Sequence, residues 1–336
     1  LQQISSQVTT RRENDLIPII VYNALNWQRD DIVHADITFA QPVQGFELID
    51  EQGRLVECIV ESCQPAAGPM ASARIAFLAM QVPSLGYRTF WARPAATRPA
   101  PVAQKKSAVT TIENKYFRLI VDESLGGGLA SLVDKESGNE YINTRNGHPG
   151  NELIQLKEGN GFEPAWRFLT TGTNFFSKDT RCHIEAFENP LFKRIIITGD
   201  MPRMKKRVQE ITLYHNVRRI DFRTSLVDYQ GLQGQNILEK IKHNDRDFYC
   251  IGFPANLQGS VPVLEDRFSV KSYYPGKEYL NFYSSMRQWD SHHSMNSCYQ
   301  WMDLGYSVRV LCGDSTSVAR SEEHTPELQS RQVISY

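Results

Sequence analysis

The stretch Thr111-Ile-Glu-Asn-Lys-Tyr-Phe-Arg-Leu-Ile-Val121, then Gly126-Gly127-Gly128, then Leu129-Ala-Ser-Leu-Val133, decides the fold class. The first segment reads as a strand. The three glycines permit a tight reversal, because glycine accepts positive φ at little cost. Leu129–Val133 reads as the return strand, closed by the turn residues Asp134-Lys135-Glu136-Ser137-Gly138-Asn139. A hairpin alone is not stable in water, so further strands must cover it.

They are present on both sides. Upstream, Val33, Ala35, Ile37 and Phe39 alternate with His34, Asp36 and Thr38, the period-two pattern of a half-buried strand. Pro18–Tyr22, Leu55–Val60, Arg74–Met80 and Tyr87–Trp91 continue the series. Downstream come Cys182–Phe187, Lys193–Thr198, Val208–Tyr214 and Arg219–Val227, then short segments at Phe248–Phe253, Phe268–Val270 and Ser307–Cys312. Helical periodicity is scarce. Many short strands separated by turn residues predict an all-β protein of sandwich type.

The domain expectations follow from composition shifts. Residues 1–14 are polar and read as a connector from a missing upstream part. Residues 15–93 form a small antiparallel β-sandwich domain. Residues 94–108 hold Pro94, Pro99 and Pro101 and read as a Pro-rich linker. Residues 109–319 form the larger β-domain. Residues 320–336 resemble the in-frame translation of a common short-read sequencing adapter, with Pro326 where the adapter encodes Ser. The native sequence is then expected to stop near Ala319, with no function or fixed structure beyond it.

The chain has 336 residues, 41% hydrophobic and 22% charged, with a net charge of -1 from interleaved Lys, Arg, Asp and Glu. No basic stripe points to nucleic acid, and no apolar run approaches the ~20 residues of a membrane span. The six cysteines form no CxxC pair or zinc-ribbon spacing and read as free thiols in a reducing compartment, which makes a cytoplasmic, bacterial-type location the expectation.

Four segments carry a resemblance. Val21-Tyr22-Asn23-Ala24-Leu25-Asn26-Trp27-Gln28-Arg29 is similar to a "V-F-N-x-L-x-W-x-R" entry segment, and Val82-Pro83-Ser84-Leu85-Gly86-Tyr87 to a "V-P-x-L-G-Y" turn. Glu113-Asn114 through Phe117, with Ser131-Leu132-Val133-Asp134-Lys135-Glu136-Ser137-Gly138, resembles an "E-N-x-x-Y/F" strand and its "S-L-x-D-K-x-T/S-G" return. The fourth is Phe253-Pro254 after a charged loop. In this order, over residues 17 to about 310, they resemble the C-terminal region of the glycoside hydrolase family 38 α-mannosidases. The resemblance implies a small β-domain followed by a large mutarotase-like β-supersandwich.

It also implies retaining hydrolysis of terminal α-mannosides, with an aspartate nucleophile and an acid/base carboxylate. A zinc ion held by His and Asp is implied in the full-length enzyme. These groups belong to an N-terminal catalytic domain, and the family's "D-x-F-G" nucleophile signature is absent from this sequence. No catalytic residue and no metal ligand is therefore assigned to the chain. The expected partners are a mannoside or other carbohydrate and the missing N-terminal domain.

The remaining polar residues are candidates for a substrate edge. Trp289, Asp290 and His292, in the run Trp289-Asp-Ser-His-His293, offer an aromatic face with polar neighbours. Glu163 and Trp166 form a similar pairing. His34/Asp36 and His243/Asp245 mimic an H-x-D zinc motif, but the first lies on a solvent face and the second in the charged run Lys240–Asp247. Arg203–Arg207, with Lys205 and Lys206 between, reads as a solvated hairpin end. An alternative is a free-standing carbohydrate-binding β-sandwich module. A third is a mutarotase-like epimerase, which needs a converging His and Glu; His183 and Glu185 are the pair that alternates correctly.

Overall fold

The computed structural model describes residues 15–101, 105–158, 170–230, 247–256, 263–266, 269–272, 301–303, 309–312 and 327–335. The described chain is built of strands in several sheets, with antiparallel ladders and a short parallel contact. It divides into two compact units. The first holds residues 1–106 with 187–193 and 214–217, and the second holds the rest.

The first unit contains β1 (Ile17–Asn23), β2 (Arg29–Val43), β3 (Gly45–Ile49), β4 (Leu55–Val56), β5 (Cys58–Gln64), β6 (Met70–Val82), β7 (Gly86–Ala95) and β8 (Ala100–Pro101). Two four-stranded sheets result, ordered β1-β7-β3-β4 and β2-β6-β5-β8. The alternation in β2 buries Ile37 and Phe39 while His34 and Asp36 stay on the other face. There His34 bonds Glu61 at 3.0 Å and Asp36 pairs with the exposed Arg74 at 3.3 Å. Phe77 meets Phe90 edge-on, with centroids 4.9 Å apart, among Ile75, Met70, Leu48 and Phe46. Within residues 94–108, β7 continues to Ala95, and Ala100 and Pro101 pair parallel with Ile59 and Val60.

After β9 (Lys105–Ser107), the second unit begins with β10 (Thr111–Glu113), β11 (Phe117–Asp122) and β12 (Gly128–Asp134), the hairpin anticipated from the sequence. Its reversal is a 3₁₀ turn at Glu123–Leu125, capped by the Asp122 carboxylate on Ser124 N. Gly126 and Gly127 follow with φ of 62° and 78°. A Cβ on Gly126 would lie 1.9 Å from Ser177 O, so both conformation and space require glycine there.

The unit continues with β13 (Glu152–Glu158), β14 (Thr170–Phe176), β15 (Cys182–Glu188), β16 (Phe192–Gly199), β17 (Lys206–Tyr214), β18 (Arg219–Val227), β19 (Asp247–Gly252), β20 (Val263–Asp266), β21 (Ser269–Ser272), β22 (Trp301–Asp303), β23 (Arg309–Cys312) and β24 (Glu327–Ser335). Its core joins Phe117, Leu119 and Leu132 of the hairpin to Ile195, Ile197, Ile211, Leu213, Ile220 and Phe222 of β16, β17 and β18. Burying one such side chain stabilises by ~1.5–3 kcal/mol, which makes this layer the unit's main source of cohesion.

One expectation is corrected. Residues 327–335 were expected to lack fixed structure, yet they form β24, paired along β18 from Arg219↔Ser335 to Val227↔Glu327. The stretch holds no glycine or proline, and Val333 and Ile334 favour strands. The side of β18 away from β17 presents unpaired main-chain groups, a template that such a segment extends.

Candidate functional site

The segments that carry the family resemblance are clasps. In the first unit Asn23 is 5% exposed, and its amide spans two loops. Its Nδ2 donates to Trp27 O at 2.7 Å, to Pro83 O at 3.0 Å and to Val82 O at 3.2 Å, while Oδ1 accepts from Leu25 N at 3.0 Å. Leu85 N completes the join by donating to Leu25 O at 2.8 Å. The "N-x-L-x-W" and "V-P-x-L-G-Y" segments are thus one structural piece.

The second unit repeats the device. Asn114 Oδ1 accepts from Tyr116 N and Phe117 N at 2.8 and 2.7 Å. Across the hairpin, Lys135 N donates to Tyr116 O and its Nζ to Asn114 O. Asp134, 2% exposed, accepts from Glu136 N at 2.9 Å, Tyr141 OH at 3.1 Å and the Arg218 guanidinium at 2.7 Å. A buried carboxylate is tolerable only with such donors and an opposite charge.

A polar seam lies in the same unit. Arg207 is fully buried, which corrects the solvated reading at that one position, while Lys205 and Lys206 are exposed as expected. It stands at the first inward position of β17, whose next inward residues are Gln209, Ile211 and Leu213, so strand alternation turns it to the interior. Its Nη1 donates to Gln209 Oε1 and its Nη2 to Gly126 O, both at 2.5 Å; Nε meets no acceptor. Burial lowers its pKa from the ordinary value. Gln209 Nε2 donates in turn to Asn151 O at 2.6 Å.

Beside Asn151, His148 Nδ1 lies 2.7 Å from Glu152 Oε2, with His148 35% and Glu152 1% exposed at the side chain. Burial pushes the Glu152 carboxyl above its ordinary range, partly offset by the His148 bond. A buried carboxyl bonded to an imidazole is an arrangement able to hold and pass a proton. This pair has no sequence signal, because the loop before β13, not a helix, brings positions 148 and 152 together. The pair singled out from sequence, His183 and Glu185, is 3.2 Å apart with His183 74% exposed, and is a surface pair.

Glu163, Trp166, Trp289, Asp290, His292, His243 and Asp245 lie outside the described residues. Among the described residues no group of three or more His, Cys, Asp or Glu converges to hold a metal ion, so a zinc site does not fit them. Four described cysteines (Cys58, Cys63, Cys182 and Cys250) are free thiols, and burial pushes Cys58 up to about 12. Within the first unit a cavity of about 460 Å³ is lined by Asp50, Arg54, Leu55, Met80, Arg88 and Val217, among others. Burial would raise the Asp50 pKa, but the Arg54 side chain and the main-chain N–H groups of Arg54 and Gln52 hold it below the ordinary value.

Residues 112–260 match the model of the glycosyl hydrolases family 38 C-terminal domain, and both Asn114 and Asp134 fall inside the match. This stretch is similar to a family 38 C-terminal domain. The solved structures agree on the fold. A family 38 glycosyl hydrolase of Enterococcus faecalis is similar with a TM-score of 0.64 at 10% identity, over 96% of this chain and 44% of that one. An alpha-mannosidase from the same organism is similar with a TM-score of 0.64 at 11% identity, over 99% and 44%. At these identities the likeness is one of fold. The chain spans 44% of the length of each of these family 38 proteins. No curated protein matches the sequence. Among the described residues no helix is long and apolar enough to cross a membrane.

Proposed function

We propose that this chain is the C-terminal structural and cleft-shaping part of a retaining α-mannosidase that removes terminal α-mannosides, and that it is inactive alone. The observation that carries the reading is the family match at residues 112–260, within a chain whose fold follows 44% of two family 38 proteins. The clasps support it, because Asn23, Asn114 and Asp134 of the motif segments spend their polar atoms on turns and strand ends. The family's zinc, in this reading, is held by polypeptide preceding residue 1, together with the nucleophile and the acid/base carboxylate. The role left to this chain is to pack against that catalytic part and hold one wall of its cleft in register. The expected working compartment is the cytoplasm.

The test is expression of the longer reading frame that contains this chain. A longer polypeptide that hydrolyses an aryl α-mannoside with retention, and loses activity on chelation, is the expected result. A reading frame that starts close to Leu1, with measurable mannoside affinity of the chain by calorimetry, is the contrary one, and describes a free-standing binding module.

A further inference from the structure

Around the Asn23 clasp the first unit presents an apolar face. Trp27 is 57% exposed, Leu85 74% and Tyr87 43%. Ala24 and Pro83 are exposed beside them. Two strands and one amide bring these side chains together: β1 and β7 pair Tyr22 with Tyr87 and Asn23 with Gly86, and Asn23 ties Trp27 to Pro83. The Tyr22 and Tyr87 rings lie 5.9 Å apart.

The face is held rather than incidental. Leu85 has φ of 47°, a left-handed conformation that is costly for a leucine and here sets it at the apex of its turn. The main-chain oxygens of Leu25, Trp27, Val82 and Pro83 already accept hydrogen bonds within the clasp. These main-chain oxygens are therefore taken, and the exposed polar side chains of Asn26, Gln28 and Ser84 flank the apolar ones. Arg29, Asp30 and Gln81 stand next to the face in the strands, Asp30 accepting from Gln81 N at 2.6 Å and Arg29 pairing with Asp31, which gives a polar rim. An exposed aromatic and aliphatic centre inside a polar rim is the anatomy of a protein interface.

We infer that the face formed by Trp27, Leu85 and Tyr87 docks onto the catalytic portion of the longer family 38 polypeptide. This rests on the function proposed above. The occupant follows from length: the solved proteins of this fold are more than twice as long as the stretch this chain matches, so a second large body of the same polypeptide is available to cover the face.

Hydroxyl-radical footprinting, read by mass spectrometry on the 336-residue chain and on the longer polypeptide, tests it. Trp27 and Leu85 are expected to be labelled at least ~5-fold less in the longer protein, as at a dry interface centre. Leu55, 68% exposed at the cavity rim, serves as the internal reference. The double variant W27S/L85S is expected to leave the melting midpoint of the 336-residue chain unchanged and to lower that of the longer protein by roughly 2–4 °C. Equal labelling in both proteins overturns the inference. So does concentration-dependent protection in the short chain, which assigns the face to a second copy. Loss of labelling without any α-mannosidase activity leaves the docking face standing and sinks the functional reading instead.

Discussion

The Asn23 clasp and the Asn114/Asp134 clasp do the same local work and end in opposite surroundings. Both use a short polar side chain to satisfy main-chain groups at a turn, and both tie together segments distant in sequence. Around Asn114 and Asp134 the neighbouring apolar residues, Phe117, Leu119 and Leu132, are fully or almost fully buried. Around Asn23 the neighbours Trp27, Leu85 and Tyr87 face solvent. The difference teaches that a motif's polar residue and its apolar neighbours have separate explanations. The first is fixed by the turn, and the second by what covers the turn.

The strongest test of that contrast is Asp134→Ala. It strips the buried partner from Arg218 and Tyr141 and should cost about 3–5 kcal/mol, read as lost hydrogen-exchange protection in β10, β11 and β12. Protection that is unchanged there would remove the clasp reading of the motif. Next, Asn23→Ala should cost about 2–3 kcal/mol and loosen β1 and β7 while the second unit keeps its protection. A smaller effect is expected at Gly126. Alanine there must adopt a left-handed φ and meet Ser177 O, so Gly126→Ala should destabilise by at least about 1 kcal/mol, measurable by urea titration.

The smallest effect concerns pH. Burial raises the Glu152 carboxyl above its ordinary value of 4.5 in the native state. A group with a raised native pKa contributes its stability below the ordinary value and loses it as pH rises through the native one. Stability should therefore fall gently as pH is raised above 4.5, and Glu152→Gln should flatten that slope. A steeper slope in the variant would mean that the His148 contact, not burial, dominates.

Much of this was readable beforehand because strands announce themselves by alternation. The pattern of Ile37 and Phe39 against His34 and Asp36 placed β2, and the glycines at 126–128 placed the hairpin between β11 and β12. The resemblance segments proved to be turn and clasp positions, whose residue types are dictated locally. Arg207 was misread because a run of charges outweighed the period-two pattern that turns it inward. His148 and Glu152 gave no signal at all, since an irregular loop sets their contact. The tail from Glu327 to Ser335 was expected to be unstructured on grounds of origin, and origin does not decide whether a segment can extend an open sheet edge.

The most direct measurement is the hydrolysis of an aryl α-mannoside by the purified 336-residue chain, with folding verified by its β-rich circular dichroism. The account predicts a rate no greater than that of buffer, unchanged by added zinc. Saturable turnover by this chain, abolished by a single substitution within it, would contradict the claim that its motif residues hold a scaffold together and leave bond cleavage to other polypeptide.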